Sequence, residues 1–208
     1  MGSREGHTGG VQARLVAVAA VLVSAASGAV LLWVLTRPDL AVPKGVTGPG
    51  PQWGELVGPL TWTLTGAVLV WLRPRNFVGA LVLFSGVCIA VSSASGAYGM
   101  YGLGIADPAW PGARWVALFG TPLWVPGSLL AISVLFACYP DGRLPGRYWR
   151  LPVAAAVLGI AMLTVAALGR YNAVAPGPAP LHLSLPTVPK VALAGVMLVS
   201  FQIGRAHV

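Results

Sequence analysis

The stretch LVAVAAVLVSAASGAVLLWVL, residues 15–35, decides how the rest of the chain is read. It holds 21 residues without a charge. At about 1.5 Å per residue a helix of that length spans roughly 30 Å, the thickness of a bilayer's hydrocarbon core. Arg4 and Arg14 precede it, as they would precede a secretory signal. The apolar part nevertheless exceeds the ~7–15 residues of a cleavable signal, so an uncleaved membrane anchor is expected.

Outward from this anchor the same character recurs. Apolar runs cover residues 56–72, 77–103, 115–138 and 151–168, and a further one opens at 191 and stops after 201. Of 208 residues 56% are hydrophobic and 9% charged, with a mean hydropathy of +0.78. Too few polar side chains remain to cover a water-soluble globule of this size. The expected fold class is therefore all-α, a polytopic membrane helix bundle with five complete transmembrane helices plus a truncated sixth. Residues 1–14 form a cytoplasmic N-terminal segment and 15–201 the membrane module. The stretches 36–55 and 171–190 are rich in Pro and Gly and read as loops.

The net charge of +8 suggests an acidic partner at first sight. The bases stand singly between apolar runs, with no basic stripe and interleaved aromatics, so nucleic acid is not an expected partner and the lipid bilayer is. Arg4, Arg14, Arg73, Arg75, Arg143, Arg147 and Arg150 fall in the N-terminus and alternate short loops; Arg37, Lys44, Arg114, Arg170 and Lys190 fall in the opposite, longer ones. Under the positive-inside rule the first set is cytoplasmic, and so is the N-terminus. A cysteine placed at Asn76 should then be shielded from an impermeant thiol reagent in intact cells, and one at Gly50 should react. The reverse labelling would invert the topology.

No catalytic, cofactor or metal site is expected. Gly48-Pro49-Gly50-Pro51 lacks the Lys and Ser/Thr of a phosphate-binding loop. His7, His182 and His207 match no ligand spacing, and Cys88 and Cys138 read as small apolar fillers. The interiors of the five complete runs carry no charge, which argues against an ion-coupled carrier.

Two short basic turns are more informative. In Arg73-Pro74-Arg75-Asn76, followed by Phe77-Val78-Gly79, Pro74 stops the second helix and two arginines anchor the turn at the headgroups. In Tyr139-Pro140-Asp141-Gly142-Arg143-Leu144-Pro145, Pro140 ends a helix and Asp141-Gly142 suits a tight turn. Between them, Pro122 and Pro126 each lack an N–H, which withdraws the helical partners of the Leu118 and Pro122 carbonyls. A kink is expected there, and a hinge is its functional reading.

As a pair, with Trp124-Val125-Pro126 in the intervening helix, these turns resemble the membrane module of actinobacterial two-component sensor histidine kinases. In that family an RPRNPIG turn opens one helix and an FPDGRLPSPRWR turn closes a later one; here Phe77-Val78 replaces Pro-Ile and Tyr139 replaces Phe. The resemblance covers roughly residues 11–201. It implies a module in the bacterial plasma membrane that passes a signal to a cytoplasmic kinase. A response regulator would be reached only through that kinase, whose phosphoacceptor and ATP-binding regions are not in these residues. A small integral membrane protein of transport or structural type is the alternative.

Ile203-Gly204-Arg205-Ala206-His207-Val208 turns a half-built apolar helix into a polar end, and ATC GGA AGA GCA CAC GTC, which encodes it, resembles a common sequencing adapter. The expectation is a reading frame broken near Phe201 and an artefactual tail over 203–208. Small residues at helical spacing, Ala20, Ser24 and Gly28 in the first run and Ser92, Ser95, Gly96 and Gly99 in the third, allow close helix approach. Packing within the chain and a homodimer interface are their two uses. Tyr98, Tyr101, Trp110 and Trp115 are candidate linings of an outer pocket, or an ordinary interfacial belt.

Overall fold

Runs of Ala, Val and Leu unbroken by charge form helix readily, and in lipid each helix satisfies its own backbone. The computed structural model describes residues 4–37, 53–104, 109–135, 138 and 146–170. In order they form α1 (Arg4–Leu35), α2 (Trp53–Leu72), α3 (Phe77–Gly104), α4 (Ala113–Gly120), a 3₁₀ turn (Thr121–Leu123), α5 (Trp124–Leu130), a π-helical segment (Ala131–Leu135), a second 3₁₀ turn (Arg147–Trp149) and α6 (Arg150–Arg170). The described residues contain helices and no strand. The expected all-α class holds.

Four stretches are long and apolar enough to cross a membrane: Gly10–Leu35, Trp53–Leu72, Phe77–Leu103 and Ala113–Leu135. The chain is thus a multi-pass membrane protein. The expected count of five complete spans plus a sixth is corrected at the fifth. The apolar part of α6 is Val153–Leu168, only about 24 Å long at 1.5 Å per residue. Arg150 and Pro152 on one side and Gly169-Arg170 on the other shorten it below the ~30 Å core. The expected sixth span, 191–201, and the tail at 203–208 lie outside the described residues.

The first helix already begins at Arg4, so much of the expected N-terminal segment is continuous with the anchor. It ends where Pro38 forbids continuation, with Arg37 N–H tightening onto the Val34 carbonyl at 3.2 Å. Pro59 lies near the start of the apolar run 56–72. With the helix opening at Trp53 it sits well inside, and its missing N–H releases the Glu55 carbonyl.

Successive helices run antiparallel. Arg14 pairs with Trp71, Ser24 with Thr63 and Gly28 with Leu60 across α1 and α2. Gly66 meets Leu83, and Gly86 meets Thr63, across α2 and α3. Gly99 meets Ala117 and Gly127 meets Cys88 as the chain returns through α4 and α5, and Ile160 of α6 packs on Val125. The hub is α3: most of its span is buried, whereas the α1 span is mostly exposed. It lies against α1 and α2 on one side and α4 and α5 on the other, so it needs two close-packing faces, and its Ser and Gly content supplies them.

At mid-span three helices meet in a polar clasp. Thr63 Oγ1 donates to the Pro59 carbonyl at 2.9 Å, so the 2.9 Å contact with fully buried Ser24 Oγ is donated by the serine. Gly86 leaves the room, because a Cβ there would lie 2.5 Å from the Thr63 nitrogen and hydroxyl. Such interhelical bonds in lipid contribute about 0.6 kcal/mol each, up to ~1.7. The outward faces are apolar: Leu15, Leu22, Leu64, Leu72, Leu151 and Leu158 are all more than half exposed, as a lipid-facing surface requires.

Candidate functional site

The features with chemical character collect at the two ends of the bundle and along the seam between α3 and the fourth crossing. At one end, Trp110 N–H donates to the Gly102 carbonyl at 3.0 Å, which holds Trp110 against the end of α3. Gly112, at φ 67°, then turns the chain into α4, a left-handed conformation that Gly adopts without a Cβ clash. Its carbonyl receives the N–H groups of Trp115 and Val116 at 3.0 Å.

This turn gathers an aromatic cap. The Trp110 ring lies 4.9 Å from Trp33 and 5.1 Å from Tyr98, both tilted, a favoured offset geometry. Tyr98 donates its hydroxyl to the Pro111 carbonyl at 3.0 Å, and the Arg37 guanidinium sits 4.5 Å over Trp33. Tyr101 is buried against Leu31, Val34 and Ala97. Of the four aromatics expected to line a pocket, Tyr98, Tyr101 and Trp110 come to this end and pack on neighbours. Trp115 does not join them: it stacks 6.0 Å from Phe119 on the exposed face of α4. The pairing of Trp33 with Arg37 was not anticipated, although their four-residue spacing at a helix end is a legible cation–π signal.

Along the seam the fourth crossing changes helix type three times. Thr121 N–H still bonds the Ala117 carbonyl, but Trp124 N–H reaches only back to Thr121, a 3₁₀ step at buried Pro122. Half-buried Pro126 lies inside α5, and beyond Leu130 the helix widens into the π segment. There the Ser133 hydroxyl donates to the Leu129 carbonyl at 2.6 Å. The carbonyls expected to lose their helical partners were those of Leu118 and Pro122. The carbonyl served from another helix is instead that of Thr121, which accepts from the Ser92 hydroxyl of α3.

The small residues of α3 are spent on this seam. Ser92 and Ser95 are buried, and Gly99 and Gly102 admit Ala117, Ala113 and Trp110. In α1, Ser24 is taken by Thr63 and Gly28 by Leu56 and Leu60. These residues therefore pack within the chain. The hydroxyls of Ser85 and Thr121 are buried and make no hydrogen bond with described residues.

At the opposite end stands the first basic turn. Arg73 N–H closes α2 on the Leu69 carbonyl at 2.8 Å, Pro74 and Arg75 form the turn, and Asn76 N–H returns to the Arg73 carbonyl at 2.9 Å. Asn76 Oδ1 then accepts the Val78 N–H at 2.9 Å and caps α3. Arg73 and Arg75 are exposed. The Arg14 guanidinium lies 5.1 Å over the Trp71 ring, a contact no sequence spacing announces because it joins two helices. The second turn, Pro140, Asp141, Gly142 and Arg143, lies outside the described residues.

Among the described residues no three His, Cys, Asp or Glu side chains gather where a metal ion could be held, and Cys88 and Cys138 are free and buried. Compared with known proteins, the chain matches no family model, no curated protein and no solved structure.

Proposed function

We propose that this chain is the membrane-embedded input module of a bacterial two-component sensor histidine kinase, seated in the plasma membrane with its N-terminus in the cytoplasm. The reading rests first on the two turn motifs and their spacing. The observation that carries it is the fourth crossing, which joins the aromatic cap to the segment leading into Pro140-Asp141-Gly142-Arg143 through α, 3₁₀, α and π steps in turn. A regular helix resists changes of pitch, whereas a crossing that changes helix type at Pro122 and again beyond Leu130 already contains alternatives. The Ser85 and Thr121 hydroxyls, which bond no described residue, offer replacement partners if α3 and the fourth crossing shift. In this reading phosphotransfer belongs wholly to the cytoplasmic kinase that the module addresses.

Two measurements test this. The gene should encode, in frame with these helices, a His-bearing dimerisation helix and an ATPase domain; a gene that encodes neither would defeat the reading. In the parent kinase, replacing Pro122 and Pro126 together by Ala should alter signalling output while insertion is retained, because α4 and α5 would then merge. Output unchanged across inducing conditions would remove the hinge.

A further inference from the structure

Between α1 and α2, at the Arg14 end, the helices part to leave a furrow of about 280 Å³. Its walls are Ala17, Val21 and Leu22 on one side and Leu64, Ala67 and Trp71 on the other. It lies beside the buried cluster of Ala17, Val70 and Leu83, against which Ala67 packs, and the small side chains of Ala17 and Ala67 fill little of the space between the helices. Deeper in the bundle the Ser24–Thr63 clasp draws the helices together again. Its mouth therefore opens toward the headgroups, and there the Arg14 guanidinium lies over the Trp71 ring.

We propose that this furrow seats one acyl chain of an anionic phospholipid, with the lipid phosphate on Arg14. The lining is entirely apolar, as a hydrocarbon chain requires, and its volume is below the ~300–1,000 Å³ of ordinary small-molecule pockets. Charge complementarity selects the headgroup: Arg14 at the mouth is joined at the same end by exposed Arg73 and Arg75, while Glu55 stands at the far end of α2. An exposed guanidinium at the bilayer surface attracts phosphate, and the Trp71 ring holds it level with the furrow.

The other end of the molecule provides a matched control, since Arg37 lies over Trp33 in the same way. Full-length protein in nanodiscs of equimolar phosphatidylglycerol and phosphatidylcholine with identical acyl chains is released into native mass spectrometry. Retained lipid should favour phosphatidylglycerol by about five-fold, the preference one basic side chain at the surface confers. Arg14→Gln should sharply reduce that preference, leaving only what Arg73 and Arg75 confer, Arg37→Gln should leave the preference intact, and Ala67→Phe, which fills the furrow, should lower retention of both. Equal retention of the two lipids by the unaltered protein would overturn the proposal, as would equal effects of Arg14→Gln and Arg37→Gln. A lipid-free dimer would assign the furrow to a second copy and overturn it too.

Discussion

Replacing Gly66 by alanine should destabilise the bundle by about 3 kcal/mol, the upper end of the cost of overpacking a core. A Cβ at this position would overlap the backbone nitrogen and Cα of Leu83. No rotamer change moves a backbone atom, so α2 and α3 would have to separate, and the neighbouring Thr63–Gly86 approach would open with them. The same substitution at Gly58, in the same helix, meets nothing within 4 Å. There the better helix propensity of alanine, about 1 kcal/mol in water, leaves stability unchanged or raised. Reversible unfolding in mixed micelles, titrated with a denaturing detergent, compares the two directly. Equal stabilities would mean that the close α2–α3 packing is not formed in the membrane.

Gly120→Ala should cost about 2 kcal/mol and, unlike Gly66→Ala, should be repaired by a second change. The atoms in the way of a Cβ at Gly120 are the Cβ and Oγ of Ser95, whereas the Ser95 Cα stands 3.8 Å off. Removing that side chain with Ser95→Gly makes the space without moving either helix. The double variant should therefore be more stable than Gly120→Ala alone, with a coupling of at least about 1 kcal/mol by double-mutant cycle. Additive losses in the same unfolding titration would show that α3 and α4 do not touch at this level.

What was legible in the sequence was local. The spans opening at Leu15 and Phe77, the stop at Pro74 and the break at Pro122 follow from hydropathy and from proline's missing N–H, which act on a residue and its near neighbours. The fifth span misled for a related reason. The run 151–168 was read as a complete span, but within α6 only Val153–Leu168 is apolar, too short for the bilayer core.

The site divides along the same line. Asn76 as the start of α3 could be read from Arg73-Pro74-Arg75-Asn76, and its side chain does cap Val78. The grouping of Tyr98 with Trp110 could be anticipated, but the exclusion of Trp115 could not, because which face of α4 meets α3 depends on Gly99 and Gly102 admitting Ala117 and Ala113. Gly112 then sets the direction in which α4 leaves the turn.

By itself the sequence determined that the chain is helical, that its helices cross a membrane repeatedly and where basic turns separate them, since burial of apolar length in lipid needs only the chain's own pattern. Tertiary structure alone decided that α3 is the hub, that its serines and glycines are used within the chain, that Ser24 finds Thr63 and Arg14 finds Trp71, and that a furrow remains beside Ala17 and Ala67. In lipid every apolar face is equally at home, so hydrophobicity cannot choose which helices touch. That choice falls to shape and to a few hydrogen bonds, which exist only once the helices are side by side.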